Sequence, residues 1–220
     1  MTRTTTLTPS TNPSPARRAL RRPLLVLATA AVALPALLPL GGCALAIGGA
    51  ALSVPMLLTD RRTSGTQVED EGIEFKALAR VREAAGDRGH VNVTSYNRLV
   101  LVTGEVPAEA DREAVGKAVG RIENVASVVN ELAVAGNSSI GNRSNDALIT
   151  SRVKASYVDA KDLQANAIKV VTERSVVFLM GRVTEREAAR AAEIARSVTG
   201  VQKVVRVFEM LTEEDLAKLR

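Results

Sequence analysis

Leu99-Val100-Leu101-Val102-Thr103-Gly104-Glu105-Val106 and Val176-Val177-Phe178-Leu179-Met180-Gly181-Arg182-Val183 carry one pattern: an apolar run, a glycine, a charged residue and a valine. They lie 77 positions apart, and the match widens to residues 91–106 over 168–183. A one-residue deletion then shifts the offset to 76. Ile122-Glu123-Asn124-Val125 meets Val198-Thr199-Gly200-Val201, and Val128-Val129 meets Val204-Val205. The chain is a tandem duplication, and the repeat governs how every other motif is read. Each run is short, continuous and apolar, which marks a buried strand. Gly104 and Gly181 end the two runs, where a bend or a positive φ is expected. Gly200 is read as a third structural glycine.

Each unit reads as helix, strand, strand, helix, strand. In the first, Phe75, Leu78 and Val81 mark one face of a short helix, and Val91 and Val93 alternate as in a strand. Tyr96-Asn97-Arg98 supplies a turn, with Tyr96 covering the sheet edge. Ala110, Ala114, Val115, Ala118, Val119 and Ile122 recur at helical spacing, and residues 125–134 form the last strand. In the second unit Thr184 and Glu187 have the spacing of a capping box. Ala188, Ala191, Ala192, Ala195 and Val198 form the buried stripe behind it. The economical packing is an α+β unit, a three-stranded sheet with two helices on one face, used twice. At roughly 65 residues each, such units are near the lower limit for independent folding, so packing against each other would help. The expected divisions are 1–42 leader, 43–66 stalk, 67–135 first module, 145–211 second module and 212–220 tail, with a Gly/Asn/Ser-rich linker over 136–145. Acids alternate with Leu216 and Leu219 near the end, and both a docked helix and a free tail fit that pattern.

Arg17, Arg18, Arg21 and Arg22 precede an apolar run over 24–40, and Leu40-Gly41-Gly42-Cys43 closes it. This is the anatomy of an export signal. The run holds Pro35 and Pro39 and is shorter than the roughly 20 residues of a spanning helix. Its end resembles the bacterial lipobox, which implies acylation of Cys43 and cleavage after Gly42; a plain membrane anchor with a chance cysteine is the alternative. By the same resemblance, Ala44 after the cysteine favours transfer to the outer membrane. Residues 44–58 are apolar and rich in Ala and Gly, a surface-lying or loosely ordered stalk.

The net charge of +5 belongs to the leader, which holds five Arg and no acid; 24 basic and 24 acidic residues remain. That neutrality argues against a nucleic-acid partner, and an aromatic content of 2% without Trp leaves little for base stacking. One His and one Cys offer no metal cluster and no disulfide framework. His90 reads as a loop residue, and Asp159 and Asp162 as surface charges. Neither glycine-ended run has phosphate-loop spacing. No catalytic residue, cofactor, metal or small-molecule substrate is indicated.

The tandem units resemble BON domains, and more broadly the dual-BON outer-membrane lipoproteins. The resemblance rests on Asp60-Arg61-Arg62-Thr63-Ser64-Gly65-Thr66-Gln67-Val68, Asn92-Val93-Thr94-Ser95-Tyr96, Ser144-Asn145-Asp146 with Ile149-Thr150, and Val177-Phe178-Leu179-Met180-Gly181 running into Val183-Thr184-Glu185-Arg186-Glu187-Ala188. It implies an αββαβ module used twice, no enzyme activity, a periplasm-facing lipid-anchored protein, and a part in envelope integrity. It further implies that the second module binds anionic phospholipid, mainly through its first helix.

The charges agree with that division of labour. Residues 67–135 carry 8 basic and 12 acidic residues, and residues 136–220 carry 14 and 11. Only the second half is attracted by an anionic membrane. Over 146–158, Ile149, Val153 and Tyr157 share an arc that faces the sheet. Leu148 points elsewhere, beside Arg152 and Ala155, and an exposed Leu next to an Arg is a candidate membrane contact. Leu148, Ser151, Arg152, Lys154 and Ala155 form the expected lipid-binding set; packing of Leu148 on the first module or the C-terminal segment is the alternative. Lys154 and Lys161 could reach headgroups or remain solvated. The family commonly has Trp at the position of Leu148, and Leu lacks the indole's preference for the headgroup zone. An adaptor that grips an envelope protein partner, through the open edges of small sheets, is the rival reading.

Overall fold

The computed structural model describes residues 60–219, which belong to one compact unit. The leader, Cys43 and the stretch 44–58 lie outside the described residues. The first module runs α1 (Ser64–Ala85), β1 (His90–Tyr96), β2 (Leu99–Val106), α2 (Glu109–Gly120), β3 (Ser127–Asn130) and β4 (Ala133–Val134). The second runs α3 (Ile140–Asp159), a 3-10 turn (Ala165–Ala167), β5 (Ile168–Glu173), β6 (Val176–Val183), α4 (Glu185–Ser197) and β7 (Lys203–Met210), followed by α5 (Glu213–Lys218). In each, the glycine-ended strand is central. β2 pairs antiparallel with β1 and parallel with β3 and β4; β6 pairs antiparallel with β5 and parallel with β7.

Both central strands are apolar on both faces because both faces are covered. Val100, Val102 and Val106 meet Ile73, Ala77, Val115 and Val119 of the helices. Val177, Leu179 and Val183 meet Ile149, Val153, Tyr157 and the alanines of α4. The alternate residues form a third core, in which Tyr96 and Leu101 pack with Phe178, Met180 and Val207. The modules therefore stack sheet to sheet, with a helical layer outside each.

One device recurs in both hairpins. The turns Asn97-Arg98 and Arg174-Ser175 have positive φ at all four residues, the geometry of a two-residue type I′ turn. None is glycine, so each turn needs support. Asp70 of α1 accepts from the N–H groups of Asn97 and Arg98. Asp146 of α3 accepts from those of Arg174 and Ser175 in the same way. Gly104 has φ of 113°, and a Cβ there would collide with the His90 carbonyl of the neighbouring strand. Gly181 is set likewise against the Ala167 carbonyl, and Gly200, at φ 99°, lies under Ile149.

Several expectations need correction. Phe75 and Leu78 do not face the core; they are 77% and 62% exposed, and the buried face of α1 is Asp70, Ile73, Ala77 and Ala85. The buried side chains are the smaller or the polar ones, because the carboxylate of Asp70 must reach the hairpin. Tyr96 lies between the sheets rather than over an edge, at 4% exposure. The last strand of the first module is broken after Asn130, whose side chain donates to the Arg112 carbonyl and accepts from the Leu132 N–H. Both first helices start earlier than their apolar periodicity: α1 is capped by Thr63, and α3 by Ser139, whose side chain accepts from the Asn142 N–H. The predicted capping box of Thr184 and Glu187 is present. Leu216 is buried while Leu219 is 45% exposed, so α5 is docked by one residue.

Candidate membrane-facing helix

α3 presents two faces of opposite character. Ile149, Val153 and Tyr157 are at most 1% exposed, and the Tyr157 hydroxyl donates to the Ala191 carbonyl. On the opposite arc, at 100° per residue, stand Ile140, Ser144, Ala147, Leu148, Ser151, Ala155 and Val158. All seven are solvent-facing, with Ile140, Leu148 and Val158 exposed at 83%, 55% and 73%. This outward stripe has no charge along its length. Ser151 joins it without offering a free donor, since its hydroxyl donates to the Ala147 carbonyl.

Cations border the stripe. Arg143 and Lys154 lie along one side and Arg152 along the other. Arg143 donates to Ser138 and Arg152 to the Thr199 carbonyl at 3.4 Å; none of the three pairs with an acid among the described residues. Of the acids on α3, Asp146 is 5% exposed and spent on the hairpin. Asp159, the last residue of the helix, is exposed and stands on the Arg152 side of the stripe. The expected contact residues Leu148, Ser151, Arg152, Lys154 and Ala155 are thus all exposed on one helix. Residue-pair reasoning overlooked Ile140 and Val158, which complete the stripe once the helix is known to begin at Ile140. Ser139, a capping residue just before it, was the available signal.

The segment before α1 is also fixed. Arg61 is buried and bidentate on Glu187 at 2.6 and 2.7 Å, and it donates to the Arg182 carbonyl. Burial alone would raise the Glu187 carboxyl, but Arg61 and the Thr184 N–H hold it below its ordinary value. Arg62 bridges Asp60 and Asp70, and its guanidinium lies 4.2 Å from the Tyr96 ring centroid. Burial, then Asp60, push the Tyr96 hydroxyl up to about 12. A cavity of about 320 Å³ brings Asp60 and Arg62 beside Lys154, Tyr157 and Val158. Asp60 and Arg62, at the start of the described residues, therefore lie against the C-terminal half of α3. Residues 60–66, expected in the stalk, are instead part of the folded unit; the pairing of Arg61 with Glu187 spans 126 positions and leaves no local pattern in the sequence.

Among the described residues, no group of three or more His, Cys, Asp or Glu is placed to hold a metal ion, and no helix is long and apolar enough to cross a membrane. His90 contacts Asn92, and Asp162 pairs with Arg190 on the surface.

The model of the BON domain matches residues 69–136 and again residues 145–212. The chain is 38% identical to the outer membrane lipoprotein DolP of Haemophilus influenzae, over 82% of this chain and 95% of that protein. It is 33% identical to a 21 kDa hemolysin of Actinobacillus pleuropneumoniae, over 68% of this chain and 78% of the other. Among solved structures, CdsD, a structural protein of the type III secretion system of Chlamydia trachomatis, covers 64% of this chain and 96% of its own. It does so at 11% identity and a TM-score of 0.27, too loose a superposition to bear on function.

Proposed function

Since this chain belongs to the BON-domain family and is built as a dual-module lipoprotein of the outer membrane, we propose that its second module docks on anionic phospholipid through α3. The protein is anchored by acylated Cys43, faces the periplasm and supports envelope integrity. The observation that carries the reading is the outward stripe of α3: uncharged from Ile140 to Val158, and bordered by three cations without acidic partners. An amphipathic helix of this kind lies in the headgroup plane with its apolar side immersed. Cations near an anionic surface contribute about 1 kcal/mol each, and salt weakens that share.

The anchor and the helix work together. Asp60 lies 17 residues past Cys43, beside Lys154 and Val158. A short tether that ends next to the contact surface keeps it at high effective concentration, so weak docking suffices to orient the molecule. The modules at 67–135 and 145–211 then divide the work: the acidic first module stays clear of the anionic surface and the second meets it.

The test is co-sedimentation of the unacylated polypeptide 44–220 with vesicles of phosphatidylglycerol or of phosphatidylcholine. Binding only to the anionic vesicles, reduced by salt and lost in Leu148→Asp, is the expected result. Because Leu148 is exposed, its substitution leaves the fold intact. Equal recovery on both vesicles, or undiminished binding by Leu148→Asp, overturns the reading.

A further inference from the structure

The outward face of α1 carries a pattern that complements itself. Glu71, Phe75, Leu78 and Arg82 follow one another at intervals of four, three and four, which keeps them within an arc of about 60°. Val68 and Ala79 border the same face, and every one of these side chains is solvent-exposed. Val68, Phe75 and Leu78 are 70%, 77% and 62% exposed, an unusual display of large apolar surface on a helix whose other side is already buried. The order is acid, apolar, apolar, base. Reversed end for end, it reads base, apolar, apolar, acid.

We infer that α1 pairs antiparallel with α1 of a second copy of this chain. A two-fold axis opposite the bond between Lys76 and Ala77 sets Phe75 against the partner copy's Leu78, and Glu71 against its Arg82. Each contact occurs twice, as an isologous interface requires. Intervals of three and four are those that form a seam between packed helices. The charged ends are available. Glu71 has no ion pair among the described residues, and Arg82 reaches only solvated Asp87, at 3.7 Å. An anionic membrane is a poor occupant for this face: Glu71 stands in it, and residues 67–135 carry four more acids than bases.

The contact is small against the roughly 800 Å² per partner of a stable complex. Copies free in dilute solution therefore stay apart, and copies confined to one surface pair. The experiment supplies the confinement itself, so its result does not depend on Cys43 acylation or on lipid docking by α3. Polypeptide 44–220 carries an N-terminal histidine tag and is held on nickel-chelating lipids in phosphatidylcholine vesicles at low surface density. Donor and acceptor dyes sit on a cysteine introduced by Lys218→Cys. Energy transfer above the random-proximity level is expected for the parent, falling to that level in Glu71→Arg and in Arg82→Glu. The double variant, which exchanges the two charges, recovers transfer. Parent transfer at the random level overturns the inference, as does failure of the double variant to recover.

Discussion

Arg61 shows how much a single residue can hold together. It precedes the first module in sequence, yet its guanidinium is buried against Glu187, at the start of α4 in the second. Removing one member of a buried pair leaves the other charge without compensation, at a cost of about 3–5 kcal/mol. Arg61→Ala should therefore lower the unfolding free energy of the whole unit by that amount, measured by urea denaturation of the unacylated polypeptide. The pH dependence carries a matching signature. Asp70 and Glu187 are both drawn below their ordinary values: burial opposes ionisation, and the hydrogen bonds from Ser95, Arg98, Arg62 and Asn97 to Asp70, and from Arg61 and Thr184 to Glu187, outweigh it. Their stabilisation is complete above the usual carboxylate range near pH ~4 and is lost as the pH falls through the depressed values. Glu173 acts in the opposite sense. Burial raises it, against the hydrogen bond from Asn92, with Glu105 adding to the rise, so its ionisation costs stability as the pH climbs through the raised value. Asp215 is drawn down as well, by Thr212 and Lys218, and the depressed groups together favour loss of stability in acid. In Arg61→Ala the Glu187 share of that loss shrinks, with the Thr184 N–H left to hold the carboxylate, which urea melts across pH 3–7 would read.

At the scale of the element, the two first helices do the same structural work and differ in what they offer outward. Both spend a buried aspartate on a hairpin turn. Asp146→Ala would strand two N–H groups at a turn with positive φ and should destabilise the protein by about 2–4 kcal/mol, at roughly 1–2 per orphaned donor. Asp70→Ala, which also frees Ser95 and Arg62, should cost more; paired chemical denaturation measures both. These helices also mark where sequence reasoning holds and where it gives way. Ile149, Val153 and Tyr157 were legible because large apolar residues at helical spacing point into a core. Phe75 and Leu78 are also large, apolar and at a helical interval, yet they point out, since the place facing the core is taken by Asp70, Ile73 and Ala77. A carboxylate that must reach a turn decides the rotation of α1, and apolar periodicity is blind to it. The break after Asn130 was equally silent, arising from a side-chain amide that bonds to the backbone of another element.

Across the whole molecule, the duplication and the family plan were open to sequence reading, while the assembly was not. The LVLV and VVFLM runs announce strands buried on both faces without saying what covers the second face. The answer is the other module, through Tyr96, Leu101, Phe178, Met180 and Val207. This stacking, with Arg61 tied across it, goes with the placement of Asp60 and Arg62 beside Lys154 and Val158 of α3. The most direct test of lipid docking is a depth profile along α3. Single cysteines from position 140 to 158 carry a bromine-quenched fluorophore on phosphatidylglycerol vesicles, with Cys43 excluded from the unacylated chain. Quenching should rise and fall with a period of 3.6 residues, peaking at 140, 144, 147, 148, 151, 155 and 158 and vanishing in high salt. A flat profile, or one that peaks at other positions of the helix, would contradict the account.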